Sequence, residues 1–450
     1  MPSYLDLSMR FFVQMLVILA VYRLLWLVFK RLGQVQVVAI MVAGFVLGPS
    51  VLGAVWPSAQ HWLFPSTVQV NGGTVPHPSL AVIYVVGQLG IVLYMFLVGS
   101  SFKVDILTEH VRVAGSTAVT GVGVPILLGG GLGVLLVSQG DYFTDKVATW
   151  QGALFLAAAL SVTAFPVLAW IIHDSGLQNT RVGTMALSLA AFDDACAWLL
   201  LATVVASAKG DMSGSLIAFG GGLGFVLFMI IVGRRLLRPL NTWTSGERVG
   251  GIPVLPLVVV LLVLLTSAWL TDWAGIHSVL GAFVVGLVMP RGELLDAMRE
   301  RIEPIVSYLL LPAFFIFAGL NTHLDLVFQP SVMVMLLVIL VVSYVGKFGA
   351  VGLAARWQGM SWREAGSLGA LANARGLMEL ILLNVGLTSG LITPALYTVL
   401  AIMTMVTTMA ATPVFGLMER SAWKNGLVFG ASGEAPPANE PNSEAVPVRP

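Results

Sequence analysis

Two adjacent aspartates, Asp193 and Asp194, stand in the middle of an apolar stretch that runs roughly from Met185 to Ala206. A carboxylate near a bilayer centre costs about 2.5–3.5 kcal/mol even on the most permissive insertion scale, which makes an intramembrane acid a functional-site candidate by itself. Two side by side are harder to keep ionised, because each raises the proton affinity of the other. Such a pair takes up either a proton or a cation, and alternation between the two is the basis of proton-coupled ion transport. The residues lie about 100° apart around one helix, so one can face an ion path while the other faces a protein partner.

Three more charges lie inside apolar stretches: Lys347, Arg375 and Glu379. Lys347, in Ser343-Tyr-Val-Gly-Lys-Phe-Gly349, is placed to neutralise one aspartate when no cation is bound; a cation or a proton would release it. The bland alternative is a lysine snorkelling to an interface. Arg375 and Glu379 are spaced i, i+4 and can pair directly, as an architectural brace or as part of the ion site. Three acids and two bases nearly balance, as a buried polar centre requires.

Ser161-Val-Thr-Ala-Phe-Pro-Val167 puts Pro166 inside an apolar stretch, with the hydroxyls of Ser161 and Thr163 just before it. Proline removes a backbone donor and predicts a break that frees carbonyls for a hard cation; an ordinary kink is the competing expectation. The monovalent-cation ligands expected are thus Asp194, Asp193, Thr163 and Ser161. Gly366, Gly369, Asn373 and Gly376 predict a second break. The runs Gly129-Gly-Gly-Leu-Gly133 and Gly220-Gly-Gly-Leu-Gly224 lack a following Lys-Ser/Thr and predict close helix packing rather than phosphate loops.

Positioning these groups requires a polytopic membrane protein. Of 450 residues, 57% are hydrophobic and 10% charged, and the mean hydropathy is +0.92; soluble domains carry about 25% charge. Thirteen apolar windows predict an all-α chain of about thirteen transmembrane helices, near 11–30, 35–53, 80–101, 113–138, 150–173, 183–207, 214–235, 253–271, 276–290, 304–320, 331–355, 364–386 and 391–418. Sixteen Lys and Arg fall on alternate connections, and the opposite connections hold only Lys146 and Lys209. Positive charge marks the cytoplasmic side, so the N-terminus is expected outside and the C-terminus inside. The fifth and twelfth windows then run in opposite directions, as an inverted repeat of windows 1–6 and 8–13 predicts. The single cysteine, Cys196, has no intrachain partner. The six histidines fall mostly in loops, and no motif asks for a cofactor or contacts nucleic acid. The Pro-, Glu- and Ala-rich tail, 431–450, reads as disordered and cytoplasmic.

Taken together, Ser161-Val-Thr-Ala-Phe-Pro-Val-Leu-Ala169, Phe192-Asp-Asp-Ala-Cys-Ala-Trp198, Gly346-Lys-Phe-Gly349 and Asn373-Ala-Arg-Gly-Leu-Met-Glu-Leu380 resemble the monovalent cation/proton antiporters. The closest likeness is to the bacterial potassium-efflux-type antiporters and plant cation/proton exchangers of the sodium/hydrogen exchanger family. Gly44-Phe-Val-Leu-Gly-Pro-Ser50, Tyr94-Met-Phe-Leu-Val-Gly99 and Leu311-Pro-Ala-Phe-Phe315 echo it more weakly, over about Gln34 to Met418. The resemblance implies one transmembrane domain, 1–430, in two bundles. The dimerisation bundle would take about 11–101 and 253–320 and the moving core about 113–207 and 331–418, with 214–235 as linking helix. It also implies two unwound helices crossing near the carboxylates, Asp194 as the ion- and proton-binding acid, Lys347 as its basic partner and Thr163 in the crossing. An Asp-Asp pair is often linked in the superfamily to electrogenic exchange. Departures are Val35 and Ala39-Ile40 where relatives carry Pro and Gly-Glu, Leu377 where some carry Glu, and no nucleotide-binding domain in this chain.

The expected function is therefore antiport of Na⁺ or K⁺ against H⁺ by alternating access in a bacterial inner membrane, by a homodimer with a role in pH homeostasis. A channel or ion sensor on the same fold is the first rival. An intramembrane enzyme is the second, and fits poorly, since both aspartates share one helix with no second acidic cluster.

Overall fold

Runs of twenty apolar residues leave no water to satisfy the backbone, so such a chain must hydrogen-bond to itself as helix. The computed structural model describes residues 3–70, 73–101, 111–177, 180–208, 212–241, 248–249, 252–274 and 278–418, with the backbone alone at some helix positions. The tail 431–450 lies outside these residues, as do Lys103, His110, Lys209, His277, Arg420 and Lys424. The first helices are α1 (Tyr4–Arg31), α2 (Gln36–Leu47) and α3 (Pro78–Ser101). They are followed by α4 (Val111–Gln139), α5 (Thr149–Ser161), α6 (Phe165–Asp174), α7 (Arg181–Ala208) and α8 (Met212–Phe228). The second half holds α9 (Val254–Trp273), α10 (Ser278–Val288), α11 (Glu293–Ile305) and α12 (Leu311–Leu320). It ends with α13 (Pro330–Trp357), α14 (Trp362–Ala372), α15 (Leu377–Thr388) and α16 (Pro394–Met418). Two short antiparallel hairpins, at Thr67–Pro76 and Arg248–Pro253, interrupt the nearly all-helical chain.

Among the described residues, nine helical segments are long and apolar enough to cross a bilayer; α10 and most of α15 are apolar but shorter. Each of the thirteen windows holds helix, and the fifth and twelfth each hold two short helices end to end, α5–α6 and α14–α15.

Packing sorts the helices into two groups, each drawn from both halves of the chain. Helices α1 and α2 lie together, α2 and α3 pack on α12, and α3 packs on α10 and α11. Helices α4, α5 and α7 pack on one another, α13 lies against α4, α14 and α16, and α16 also meets α14 and α15. The α2–α12 and α3–α10 crossings are close because both helices lack side chains there: a Cβ on Gly319 would stand 2.2 Å from the Gly44 carbonyl carbon, and one on Gly286 would stand 2.1 Å from Phe96 O. The first glycine run also packs tightly, with Leu156 O 2.6 Å from a Cβ on Gly129. In the second run Gly220, Gly221 and Gly224 on α8 meet nothing within 4 Å, while Gly222 between them is buried.

Two bonds tie α16 to the other series. Tyr397 Oη donates to Ala318 O at 3.0 Å, and Gln34 Nε2 donates to Met409 O at 3.0 Å. The second has a simple cause: Pro413 within α16 has no N–H to give to the carbonyl four residues back, and the Gln34 amide takes its place.

Candidate functional site: two broken helices and a buried charge cluster

A helix leaves its last four carbonyls without partners, and inside a membrane they must be met by something other than water. The α5 helix ends at Ser161, and its four terminal carbonyls are all taken by side chains. Ser161 Oγ donates to Ala158 O at 3.1 Å. Arg375 donates through Nη1 to Ala159 O at 2.6 Å and through Nη2 to Leu160 O at 2.7 Å. Lys347 Nζ donates to Ser161 O. Two cations thus hold the negative end of one helix, the favourable sense for its dipole.

The α14 helix, begun by a Ser361–Glu364 capping box, ends the same way with neutral donors. Asn373 donates to Gly369 O from its side chain (3.1 Å) and to Ala370 O from its backbone (3.2 Å), and Ala374 N donates to Leu371 O (3.0 Å). Ala372 O is met from the other break: Thr163 Oγ1 donates to it at 2.8 Å. Ala164 N donates to Ala374 O at 2.9 Å, so the unwound segments Val162–Ala164 and Asn373–Gly376 lie against each other. Gly376 starts α15 at φ 158°, ψ −115°, backbone that L side chains rarely adopt.

Both expected breaks are present, with corrections in detail. Pro166 does not kink a continuous helix; the chain has already unwound, and Pro166 is the second residue of α6, where its missing N–H costs nothing. Gly366 and Gly369 lie inside α14 and serve close packing, the latter with Phe348 O 2.8 Å from a built Cβ. The freed carbonyls, expected to ligate a cation, are committed to Arg375 and Lys347. Ser161 and Thr163 donate their hydroxyl protons to carbonyls, which leaves the Thr163 oxygen lone pairs unspent.

Around this crossing the charges pair. Lys347 Nζ lies 2.7 Å from Asp193 Oδ2, both side chains fully buried. Arg375 Nη1 lies 3.1 Å from Glu379 Oε2, again buried, in the i, i+4 geometry expected. Arg375 Nη2 also donates to Ser343 Oγ at 2.7 Å, and Arg375 N–H donates to Thr408 Oγ1 at 3.0 Å. The roles of Ser343 and Thr408 were missed in the sequence; the only available signal was Ser343 at four residues before Lys347 on one helix face. Asp193 Oδ1 is buried with no hydrogen-bond partner among the described residues. Asp194 is the next residue of α7, and its side chain lies outside what the structure describes. Among the described residues no three His, Cys, Asp or Glu side chains converge.

Such a site, two broken helices crossing at a buried charge cluster in a multi-span membrane protein, defines a transporter fold. The family model described as "Sodium/hydrogen exchanger, transmembrane" matches residues 16–418, and the chain belongs to that family. It is 34% identical over 401 residues to the Na(+)/H(+) antiporter NhaS4 of Synechocystis, covering 89% of this chain and 94% of the relative. It is 35% identical to Cation/H(+) antiporter 20 of Arabidopsis thaliana and 28% identical to K(+)/H(+) antiporter 1 of Saccharomyces cerevisiae, and spans 47% of the length of each. The fold is similar to that of the sodium proton antiporter MjNhaP1 from Methanocaldococcus jannaschii, with a TM-score of 0.58 at 16% identity over 95% of this chain and 100% of that one.

Proposed function

We propose that this chain is a secondary antiporter that exchanges a monovalent cation, Na⁺ or K⁺, for H⁺ by alternating access. The observation that carries this is the charge arithmetic of the crossing. Lys347 pairs with Asp193 and Arg375 with Glu379, and Asp194, the next residue of α7, adds one negative charge when all are ionised. One proton or one monovalent cation neutralises it, and the two cannot do so together. Competition at one site couples their movements.

Lys347 holds Asp193 in the geometry described. A cation arriving at Asp194 and the open Asp193 Oδ1, with Thr163 Oγ1 as a neutral ligand, displaces the ammonium, which keeps its hold on Ser161 O. Protonation of the aspartates then expels the cation. Arg375 and Glu379 stay paired and keep the two breaks in register. The relatives' names supply the cation class: Na⁺ for one, K⁺ for another, cation for the plant proteins.

The remaining parts belong to the same proposal. All thirteen windows cross the membrane, with the N-terminus outside and the C-terminus cytoplasmic. Helices α1–α3 with α9–α12 form the dimerisation bundle, α4–α7 with α13–α16 the moving core, and α8 the link. The protein works as a homodimer in a bacterial inner membrane. Asp194→Asn is expected to abolish exchange in proteoliposomes while leaving the fold intact; retained cation-driven proton movement in that variant would remove Asp194 from the mechanism.

A further inference from the structure

Helix α15 carries a second buried polar side chain that the charge cluster does not use. Asn384 is 7% exposed, and neither Nδ2 nor Oδ1 has a hydrogen-bond partner among the described residues. Other buried amides differ: Gln14, Gln34 and Asn373 each donate from the amide nitrogen, to Leu63 O, Met409 O and Gly369 O, and leave only the oxygen open. Asn384 has both ends open, in the run Leu380-Ile-Leu-Leu-Asn-Val385, where a further leucine would continue the apolar face. An unpaired amide in a membrane interior is a standing cost that packing does not ask for.

Its place in the fold suggests what meets it. Helix α15 starts at the crossing and packs on α5, which carries the capped carbonyls, and on α7, which carries the aspartates. Asn384 lies five residues past Glu379, about 7.5 Å further along the axis. Beyond it, Phe143 and Ile392 form a backbone bridge and Thr144 N donates to Leu391 O. Asn384 therefore stands along α15 between the central site and that end, which is the outer end in the orientation proposed above.

We propose that Asn384 is a second, transient binding point for the transported monovalent cation, between the aspartates and the outer face. It rests on the antiport reading. The amide oxygen is a neutral, hard ligand for an alkali cation, and the amide nitrogen holds a water of its shell. A neutral ligand binds weakly enough to pass the ion on, as a station on a path must. Unlike a carboxylate, it does not titrate, so it takes the cation without competing for the proton.

The test uses the full chain in proteoliposomes, with initial rates of proton movement measured against external Na⁺ and K⁺ for wild type, Asn384→Leu and Asn384→Asp, and with thermal midpoints recorded. Asn384→Leu is expected to fold at least as stably and to raise the apparent KM for the cation by about fivefold. Asn384→Asp is expected to lower that KM and to make it rise as pH falls, since the new ligand titrates. A leucine variant with wild-type KM overturns the proposal, and so does an aspartate variant with unchanged KM and no added pH dependence should the leucine variant fail to fold. A wild type that moves no protons with either cation overturns the antiport reading and this station with it.

Discussion

At the residue scale the structure turns on what holds Lys347. Its ammonium donates to Asp193 and to Ser161 O, both fully inside the protein. Removing one partner of a buried ion pair typically costs about 3–5 kcal/mol, because the other charge is left uncompensated. For Lys347→Ala the uncompensated charge is Asp193, and a proton is what can neutralise it. Protons then compete better against the cation, so the pH of half-maximal exchange should rise; a profile that stays at the wild-type pH would take Lys347 out of the coupling. Much of the buried charge cluster was legible in the sequence, because a charge in an apolar run is conspicuous: Asp193, Lys347, Arg375 and Glu379 all stood out. The destination of the freed carbonyls was not. Ala159, Leu160 and Ser161 differ in no sequence feature from other carbonyl donors, and only the fold shows that Arg375 and Lys347 reach them before any cation does.

At the element scale the two breaks are stabilised by the same rule with different partners. The end of α5 is capped by charged side chains, and the end of α14 by Asn373, the backbone and Thr163 from the opposite break. Helix α16 holds this crossing to the rest of the molecule through adjacent residues: Thr408 meets the Arg375 backbone, and Met409 O accepts from Gln34. Because Pro413 denies Met409 O its helical donor, Gln34→Leu should leave that carbonyl unpaired and lower stability by about 1–3 kcal/mol. Adding Pro413→Ala restores an N–H to the same carbonyl, so the double variant should recover part of the loss in thermal midpoint. Strictly additive losses would show that the two residues do not share this acceptor. Here sequence and structure part over proline. Pro166 signalled a break correctly but stands just past it, since the first helical turn is where a missing donor is tolerated. Pro413 leaves α16 continuous because an outside amide compensates it.

At the scale of the whole molecule, apolar windows located the long apolar helices but not the charged α11, which falls between two of them, and composition alone required a membrane. The two glycine runs read identically in sequence, yet Gly129 and Gly133 meet a neighbouring backbone closely whereas Gly220, Gly221 and Gly224 meet nothing within 4 Å. Glycine permits close approach and does not create it; the neighbour must be there. The equivalent crossings α2–α12 and α3–α10, and the equivalent breaks at Val162–Ala164 and Asn373–Gly376, fit two halves of opposite orientation around one site. The most direct measurement is proton flux in proteoliposomes under an imposed membrane potential, with Na⁺, K⁺ or Li⁺ added in turn. Antiport predicts proton movement that begins only when a particular monovalent cation is supplied and that reverses with its gradient. Folded protein that shows no cation-dependent proton movement with any of the three would contradict it.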